Sequence, residues 1–277
     1  MAMNYAKFVD TTKCDGCRAC MVACKNWNDL PAEPEAFHGY NSHEKLTANT
    51  WNLIKYVEKE NKTRNEGLDW FLAHHSCFHC ADAACLLACP EGAISHNEKF
   101  GSVVIDHVKC VGCGYCVTNC TFDVIRLGKR TVKGKEKIVS NKCTLCTDRL
   151  ENGLEPACVT ACHTGSLEFG DRDEMLEKAQ ARLAVVKERY PNAQIYNPTG
   201  VGGTTMFYLL ADKPETYGLD ANAKVATSIK VWKDYAQPVG KLLFGATTMA
   251  VVAGVISNQL FNPRVKGETH EGGNDHE

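Results

Sequence analysis

Short apolar segments separated by polar residues predict a series of strands along the chain. Phe8-Val9 and Val104-Ile105 are each followed by an aspartate and, three residues later, by a lysine that precedes a cysteine. The two segments align without a gap, which indicates an internal repeat that begins each time with a short strand. A further strand is expected at residues 205–210, after a glycine-rich turn at 197–204 that fits neither a P-loop nor a dinucleotide motif.

Two hairpins are also predicted. Residues 49–57 and 68–72 have the composition of strands, with the polar segment 58–67 between them. Basic residues around Gly134 in segment 127–139 predict a second hairpin, which is either a solvated surface or a charged docking site.

The first hairpin belongs to an insertion, residues 25–76, between two groups of cysteines. It either covers a neighbouring site or forms a docking surface for a partner, and tryptophans are typical of such surfaces. Both interpretations stay open at this point. The three tryptophans concerned are Trp27, Trp51 and Trp70.

One amphipathic helix is predicted at residues 171–190. Asp171 or Asp173 can cap its start, and Pro191 stops it. We expect the helix to pack on the core of the protein through one apolar face. That face consists of Met175, Leu176, Ala179, Leu183 and Val186.

The segment 238–261 is different in character, because its apolar residues cover every face of a helix. Residues 239–260 reach the length of a membrane span if Lys241 extends to the interface. We expect a single transmembrane anchor here; the alternative is a buried or interfacial helix of a soluble protein. The flanking charges do not fix its orientation, and the polar tail 262–277 is expected to be disordered.

All sixteen cysteines fall into four quartets, and their spacing is typical of bacterial ferredoxins. In that motif three close thiolates hold one iron–sulfur cluster while the fourth ligates another cluster. The sequence therefore predicts four clusters in two ferredoxin-like modules and a protein that conducts electrons. The quartets are Cys14, Cys17, Cys20 and Cys24; Cys77, Cys80, Cys85 and Cys89; Cys110, Cys113, Cys116 and Cys120; and Cys143, Cys146, Cys158 and Cys162.

The gaps between quartets predict how they pair. A short turn and strand separate the second quartet from the third, whereas the long insertion follows the first. We therefore expect quartets two and three to form one module and quartets one and four to close around it. This nesting gives site a (Cys14, Cys17, Cys20, Cys162), site b (Cys143, Cys146, Cys158, Cys24), site c (Cys77, Cys80, Cys85, Cys120) and site d (Cys110, Cys113, Cys116, Cys89).

Composition, charge and motifs argue against several other functions. A net charge of -2 gives no electrostatic footprint for nucleic acid. A disulfide scaffold is disfavoured by the tight local quartets and by the lack of a signal sequence at residues 1–7. No C-x-x-C is followed by histidine, so haem attachment is excluded, and no nucleophile–base constellation indicates catalysis by this chain.

These motifs resemble the iron–sulfur (beta) subunits of molybdopterin oxidoreductases, and most closely those of membrane-bound respiratory formate dehydrogenase. The similar stretches are residues 14–29, 143–149, 155–158, 196–204 and 228–233. The resemblance implies four [4Fe-4S] clusters in the same nested arrangement. It also implies a molybdenum or tungsten pterin catalytic subunit that oxidises formate, and a membrane cytochrome b subunit that passes electrons to quinone.

The resemblance further implies export with the catalytic partner and a globular part in the periplasm, anchored in membrane lipid. Two positions depart from the family pattern, because Thr121 and His163 stand where proline usually follows the fourth cysteine. Ligation should survive, but turn rigidity and cluster potentials could shift. His163, like His79 within Cys77–Cys80, is expected to support the thiolates or to pack against them rather than to act as a ligand.

The predicted fold class is therefore α+β: two ferredoxin-like modules with insertions and one C-terminal transmembrane helix. The expected divisions are 1–170 for the modules, 171–237 for a capping helix and linker, 238–261 for the span and 262–277 for the tail. One alternative function is the same relay for a polysulfide, thiosulfate or nitrate reductase or for a hydrogenase. Another is a zinc-binding structural scaffold.

Overall fold

A computed structural model describes residues 4–33, 39, 43–61 and 67–261 of the chain. The expected disordered tail, 262–277, and part of the first hairpin turn, 62–66, lie outside the described residues. The protein forms two compact units that divide between Ile229 and Lys230.

The described residues combine strands with mostly short helices, as the α+β prediction requires. The strands are β1 Tyr5–Asp10, β2 Asn52–Glu60, β3 Leu68–Ser76, β4 Ile94–His96, β5 Val103–Ile105, β6 Arg126–Val132, β7 Lys135–Asn141, β8 Leu167–Asp171, β9 Gln194–Tyr196 and β10 Met206–Leu210. The helices are α1 Ala19–Trp27, α2 Ala84–Leu87, α3 Tyr115–Thr118, α4 Thr147–Glu151, α5 Ala157–Thr160, α6 Arg172–Arg189, α7 Thr227–Val231 and α8 Gln237–Phe261.

A four-stranded sheet in the order β8-β1-β10-β9 organises the first unit. Strands β1 and β10 are parallel, and the two outer pairings are antiparallel. Every residue of β10 is buried, as is most of β1. The segment after Asp171 therefore supplies two strands of the main sheet, and β10 is the strand that was expected at residues 205–210.

Helix α6 covers one face of this sheet, as predicted. The Asp171 carboxylate caps it by accepting hydrogen bonds from the backbone N–H groups of Asp173, at 2.9 Å, and Glu174, at 3.4 Å. The apolar stripe of the helix packs against Phe8 and Phe207, whose ring centroids are 5.3 Å apart. The opposite face of the sheet lies against the cysteine-rich core.

Both predicted hairpins are confirmed. Strands β2 and β3 pair antiparallel with Asn52 opposite Ser76. Strand β2 begins three residues later than predicted, and β3 extends to Ser76 instead of ending at residue 72. Strands β6 and β7 pair around Lys133 and Gly134, which both have positive φ, as a tight two-residue turn requires. The small hairpin of β4 and β5 lies between the second and third cysteine quartets.

Candidate iron–sulfur centres

All four quartets share one local backbone feature. The residue just before the second cysteine has a left-handed conformation: Gly16 at φ 77°, His79 at 51°, Gly112 at 71° and Leu145 at 59°. The turn lets three thiols approach one point. Glycine occupies it without steric cost, but His79 and Leu145 do not. Such strain is typical of functional loops.

The third cysteine of every quartet is the second residue of a helix. Cys20, Cys85, Cys116 and Cys158 occupy this position in α1, α2, α3 and α5 respectively. The fourth cysteine follows four residues later, which displaces it by about 6 Å along a helix axis. This displacement explains how one motif can supply two different sites.

Three small cavities each bring four of the thiols together. The thiols lining each cavity are those that the nested pairing assigned to it. They are Cys14, Cys17, Cys20 and Cys162 at site a; Cys24, Cys143, Cys146 and Cys158 at site b; and Cys89, Cys110, Cys113 and Cys116 at site d.

Site c is recognised from the electrostatics of its thiols. Burial raises the pKa of Cys80 well above its ordinary value, and the neighbouring Cys77, Cys85 and Cys120 raise it further. Cys77 and Cys85 are buried, and all four side chains belong to the same core. The structure thus places these four thiols near one another.

Interactions between thiols also show the order of the sites. After burial, Cys158 of site b has the largest effect on the pKa of Cys20 in site a. Cys143 of site b raises the pKa of Cys77 in site c, and Cys116 of site d raises that of Cys85. Site a therefore has site b as a neighbour, site b has site c, and site c has site d.

Backbone N–H groups are directed at several of the thiols. Leu145 N lies 3.3 Å from the Cys143 sulfur, and Ala93 N lies 3.3 Å from the Cys89 sulfur. Leu167 N and Ser140 N make the equivalent contacts with Cys162 and Cys110, each at 3.4 Å. Donors of this kind stabilise thiolates and tune the potential of a bound cluster.

The donor set fits [4Fe-4S] clusters. All sixteen cysteines are free thiols, so the structure contains no disulfide among them. Burial raises the pKa of Cys146 to about 12, so this thiol would stay protonated at neutral pH without a metal. Iron binding deprotonates such thiols outright, and each cavity presents four of them.

Two buried lysines lie among the thiols, a feature that the sequence analysis missed. Lys7, only 1% exposed, lines the cavity of site b. Lys142 is 3% exposed and donates to the carbonyl groups of Val103 and Cys143. Its charge lowers the pKa of Cys77 and Cys85, but burial raises the pKa of both thiols by more. For Lys7 the available signal was a lysine within a mostly apolar strand.

The other singled-out residues have different surroundings. The His163 Nε2 atom is 3.0 Å from the Asp15 carboxylate, and its Nδ1 is 3.7 Å from the Cys17 sulfur, so this exposed side chain touches site a. His79 is buried, and its Nδ1 accepts a hydrogen bond from Val103 N at 2.9 Å. Thr121 lines a separate open cavity.

The tryptophans do not form one surface. Trp51 is buried and donates to the carbonyl of Ala48 at 2.7 Å, so it belongs to the covering layer beside site b. Trp27 and Trp70 are 43% and 48% exposed. Of these three tryptophans, only Trp27 and Trp70 are therefore exposed enough to contribute to a docking surface.

The second unit consists mainly of one apolar helix. A continuous helix from Thr227 to Phe261, with a π-helical turn at Trp232–Ala236, is long and apolar enough to cross a membrane by length and composition. Near its middle, the hydroxyl groups of Thr247 and Thr248 both donate to the carbonyl of Phe244. Their hydrogen-bond donors are therefore paired within the helix. The side chain of Lys241 lies outside the described part of the chain.

Comparison with known proteins agrees with the cysteine pattern. Two family models, both described as a 4Fe-4S dicluster domain, match residues 13–93 and 68–172. The chain is thus a 4Fe-4S dicluster protein with ferredoxin-like domains.

Relatives that match along most of the chain identify its family more closely. The chain is 40% identical, over 90% of its length and 83% of the relative, to the iron–sulfur subunit of nitrate-inducible formate dehydrogenase from Escherichia coli (strain K12). It is 38% identical, over 91% and 80%, to the formate dehydrogenase iron–sulfur subunit of Haemophilus influenzae. A hydrogenase-2 operon protein of Escherichia coli O157:H7 is 27% identical over 97% of this chain and 87% of the relative. The chain belongs to the family of formate dehydrogenase iron–sulfur subunits.

Proposed function

We propose that this chain is the electron-transfer subunit of a formate dehydrogenase and holds four [4Fe-4S] clusters at sites a to d. The observation that carries the proposal is the consecutive arrangement of four cysteine sites within one core. Each bound cluster would supply one-electron redox chemistry, and the chain would position neighbouring clusters closely enough for electron transfer.

The exposure of the ligands supports a relay with two ends. Cys17 at site a and Cys113 at site d are the exposed thiols of the sixteen, whereas sites b and c have only buried or partly buried ones. Val111 and Tyr115, more than half exposed, surround the site d end with apolar surface. Electrons would enter at one terminal site and leave at the other.

The partners follow from the relatives and from the apolar helix. A molybdenum or tungsten pterin subunit would oxidise formate and reduce the first cluster, since the relatives are iron–sulfur subunits of formate dehydrogenases. A membrane cytochrome b subunit would accept the electrons and pass them to quinone. Helix α8 would anchor the chain in lipid, with the globular unit in the periplasm after export alongside the catalytic subunit.

Iron and sulfide analysis of the anaerobically purified complex, with EPR of the reduced protein, tests this function. About sixteen iron atoms per chain are expected from four [4Fe-4S] clusters, and formate should reduce all four signals. A colourless protein that contains zinc would support the structural-scaffold alternative instead. A complex whose clusters are reduced by hydrogen but not by formate would support the hydrogenase alternative.

A further inference from the structure

A buried ammonium group lies at the junction of sites a and b. Lys7 is in the central strand β1, where its backbone is opposite Met206 of β10 and Phe169 of β8. The side chains of Ala6 and Phe8 pack under α6, so Lys7 emerges on the face that carries the cysteines. The lysine therefore enters the cysteine-rich core.

The contacts of Lys7 connect the two sites. Its Nζ donates to Ser76 Oγ at 3.1 Å and lies 3.1 Å from His74 Nε2. Lys7 lines the cavity of site b, whereas His74 lines the cavity of site a. Ser76 also lines site b, and its Oγ lies 3.2 Å from the same His74 Nε2, so contacts from Lys7 and Ser76 join the linings of two neighbouring cavities.

Charge explains why a lysine is tolerated here. Among the described residues no carboxylate pairs with this ammonium, and an isolated buried charge is costly. The groups around it are cysteines instead: Lys7 shares the lining of one cavity with Cys143, Cys146 and Cys158 of site b, and Cys20 of site a is also close. These thiols become thiolates when they bind iron. The countercharge of Lys7 is therefore supplied by ligands of both sites.

The contact with Lys7 also defines the protonation of His74. This histidine is 1% exposed and its Nε2 faces the Lys7 ammonium, which can only donate, so the imidazole accepts this hydrogen bond in its neutral form. A neutral imidazole that accepts at Nε2 carries its proton on Nδ1. This Nδ1 is buried without a hydrogen-bond partner in the described structure, and the residue lines site a.

We propose that Lys7 is a positioning residue of the relay, which raises the reduction potentials of the clusters at sites a and b and holds His74 as an Nδ1–H donor toward site a. The inference rests on the proposed function. Reduction adds one negative charge to a site that four thiolates already make negative, and a nearby cation in a low-dielectric core favours that change.

The test is an EPR-monitored redox titration of the assembled complex with the Lys7→Met variant. The midpoint potentials of two of the four clusters should fall by about 59 mV each. For a one-electron couple this corresponds to about a tenfold smaller ratio of reduced to oxidised cluster at a fixed ambient potential. Lys7→Arg should restore them. Lys13→Met is the matched control: Lys13 also precedes site a, but its side chain is 33% exposed and paired with Glu168, so all four midpoints should stay unchanged.

His74→Phe is the second variant, and it keeps the proposal testable if Lys7→Met loses a cluster. It removes the Nδ1–H donor and keeps the ammonium, so only the site a midpoint should fall. Unchanged midpoints in every variant with full iron content, or an equal shift of all four midpoints, would overturn the role of Lys7. Wild-type protein that lacks four clusters would instead refute the proposed function, before the variants are compared.

Discussion

At Gly112, an added side chain would meet the protein backbone. A Cβ atom at this position would lie 2.5 Å from the carbonyl oxygen of Ile138, and φ is 71°. We predict that Gly112→Ala lowers the free energy of unfolding by about 1–3 kcal/mol, as overpacked sites do. It should also reduce the iron content at site d, because the turn presents Cys113. Thermal denaturation and iron analysis would measure both effects.

Gly134 provides the control for this prediction. Its φ is 77°, close to that of Gly112, but an added Cβ would meet nothing within 4 Å. Gly134→Ala should lower the free energy of unfolding by about 1 kcal/mol, because only the left-handed backbone conformation disfavours alanine there. The variant should keep its full iron content. Equal losses in the two variants would show that the contact with Ile138 is unimportant.

The pairing of the cysteines can be tested at Cys24. It lies in α1 one turn after Cys20 but lines the cavity of site b with Cys143. We predict that Cys24→Ser removes or converts the cluster at site b, whereas Cys20→Ser damages site a. The EPR spectra of the two reduced variants should therefore lack different signals. Loss of the same signal in both variants would disprove the nested pairing.

Sequence patterns predict the ligands better than the residues around them. Gly16 and Gly112 mark the left-handed turns, because glycine is the usual residue there. His79 and Leu145 adopt the same conformation without that signal, since the cysteines on either side constrain the loop. Lys7 was missed because a buried lysine becomes acceptable only beside thiolates that are distant in sequence.

At the level of elements, the cap of α6 is a local feature with a measurable contribution. The Asp171 side chain accepts two backbone hydrogen bonds at the helix start. We predict that Asp171→Ala lowers the free energy of unfolding by about 1 kcal/mol. The Asp173→Ala variant is the control, because it removes a first-turn charge but no cap, and should cost about 0.3–1 kcal/mol. Denaturant titration would compare them; a larger loss for Asp173→Ala would contradict the assignment of the cap.

Elements with local signals were predicted, but the pairing of strands that are distant in sequence was not. The amphipathic pattern of α6 and the turn chemistry at Gly134 are readable within a few residues. The position of β10 between β1 and β9 depends on contacts across about two hundred residues, as Lys7 opposite Met206 shows. A strand's partner cannot be read from its own composition, so the strand was expected at 205–210 but its place in the main sheet was not.

At the level of the whole molecule, a single charge can distinguish a membrane span from a surface helix. Val251 lies near the middle of α8 and is 65% exposed. We predict that Val251→Asp weakens membrane insertion by about 2.5–3.5 kcal/mol, the cost of an aspartate at a bilayer centre. Ser257→Asp, nearer the end of the helix, should cost less because the charge can reach the interface.

Carbonate extraction of membranes that contain the chain without its partners would measure this difference. Deletion of residues 239–277 should release the chain completely while keeping the iron content of the first unit, since that unit ends at Ile229. If Val251→Asp and the wild type resist extraction equally, α8 does not span the bilayer. If the deleted chain stays in the membrane, another part of the protein holds it there, and α8 is not the sole anchor.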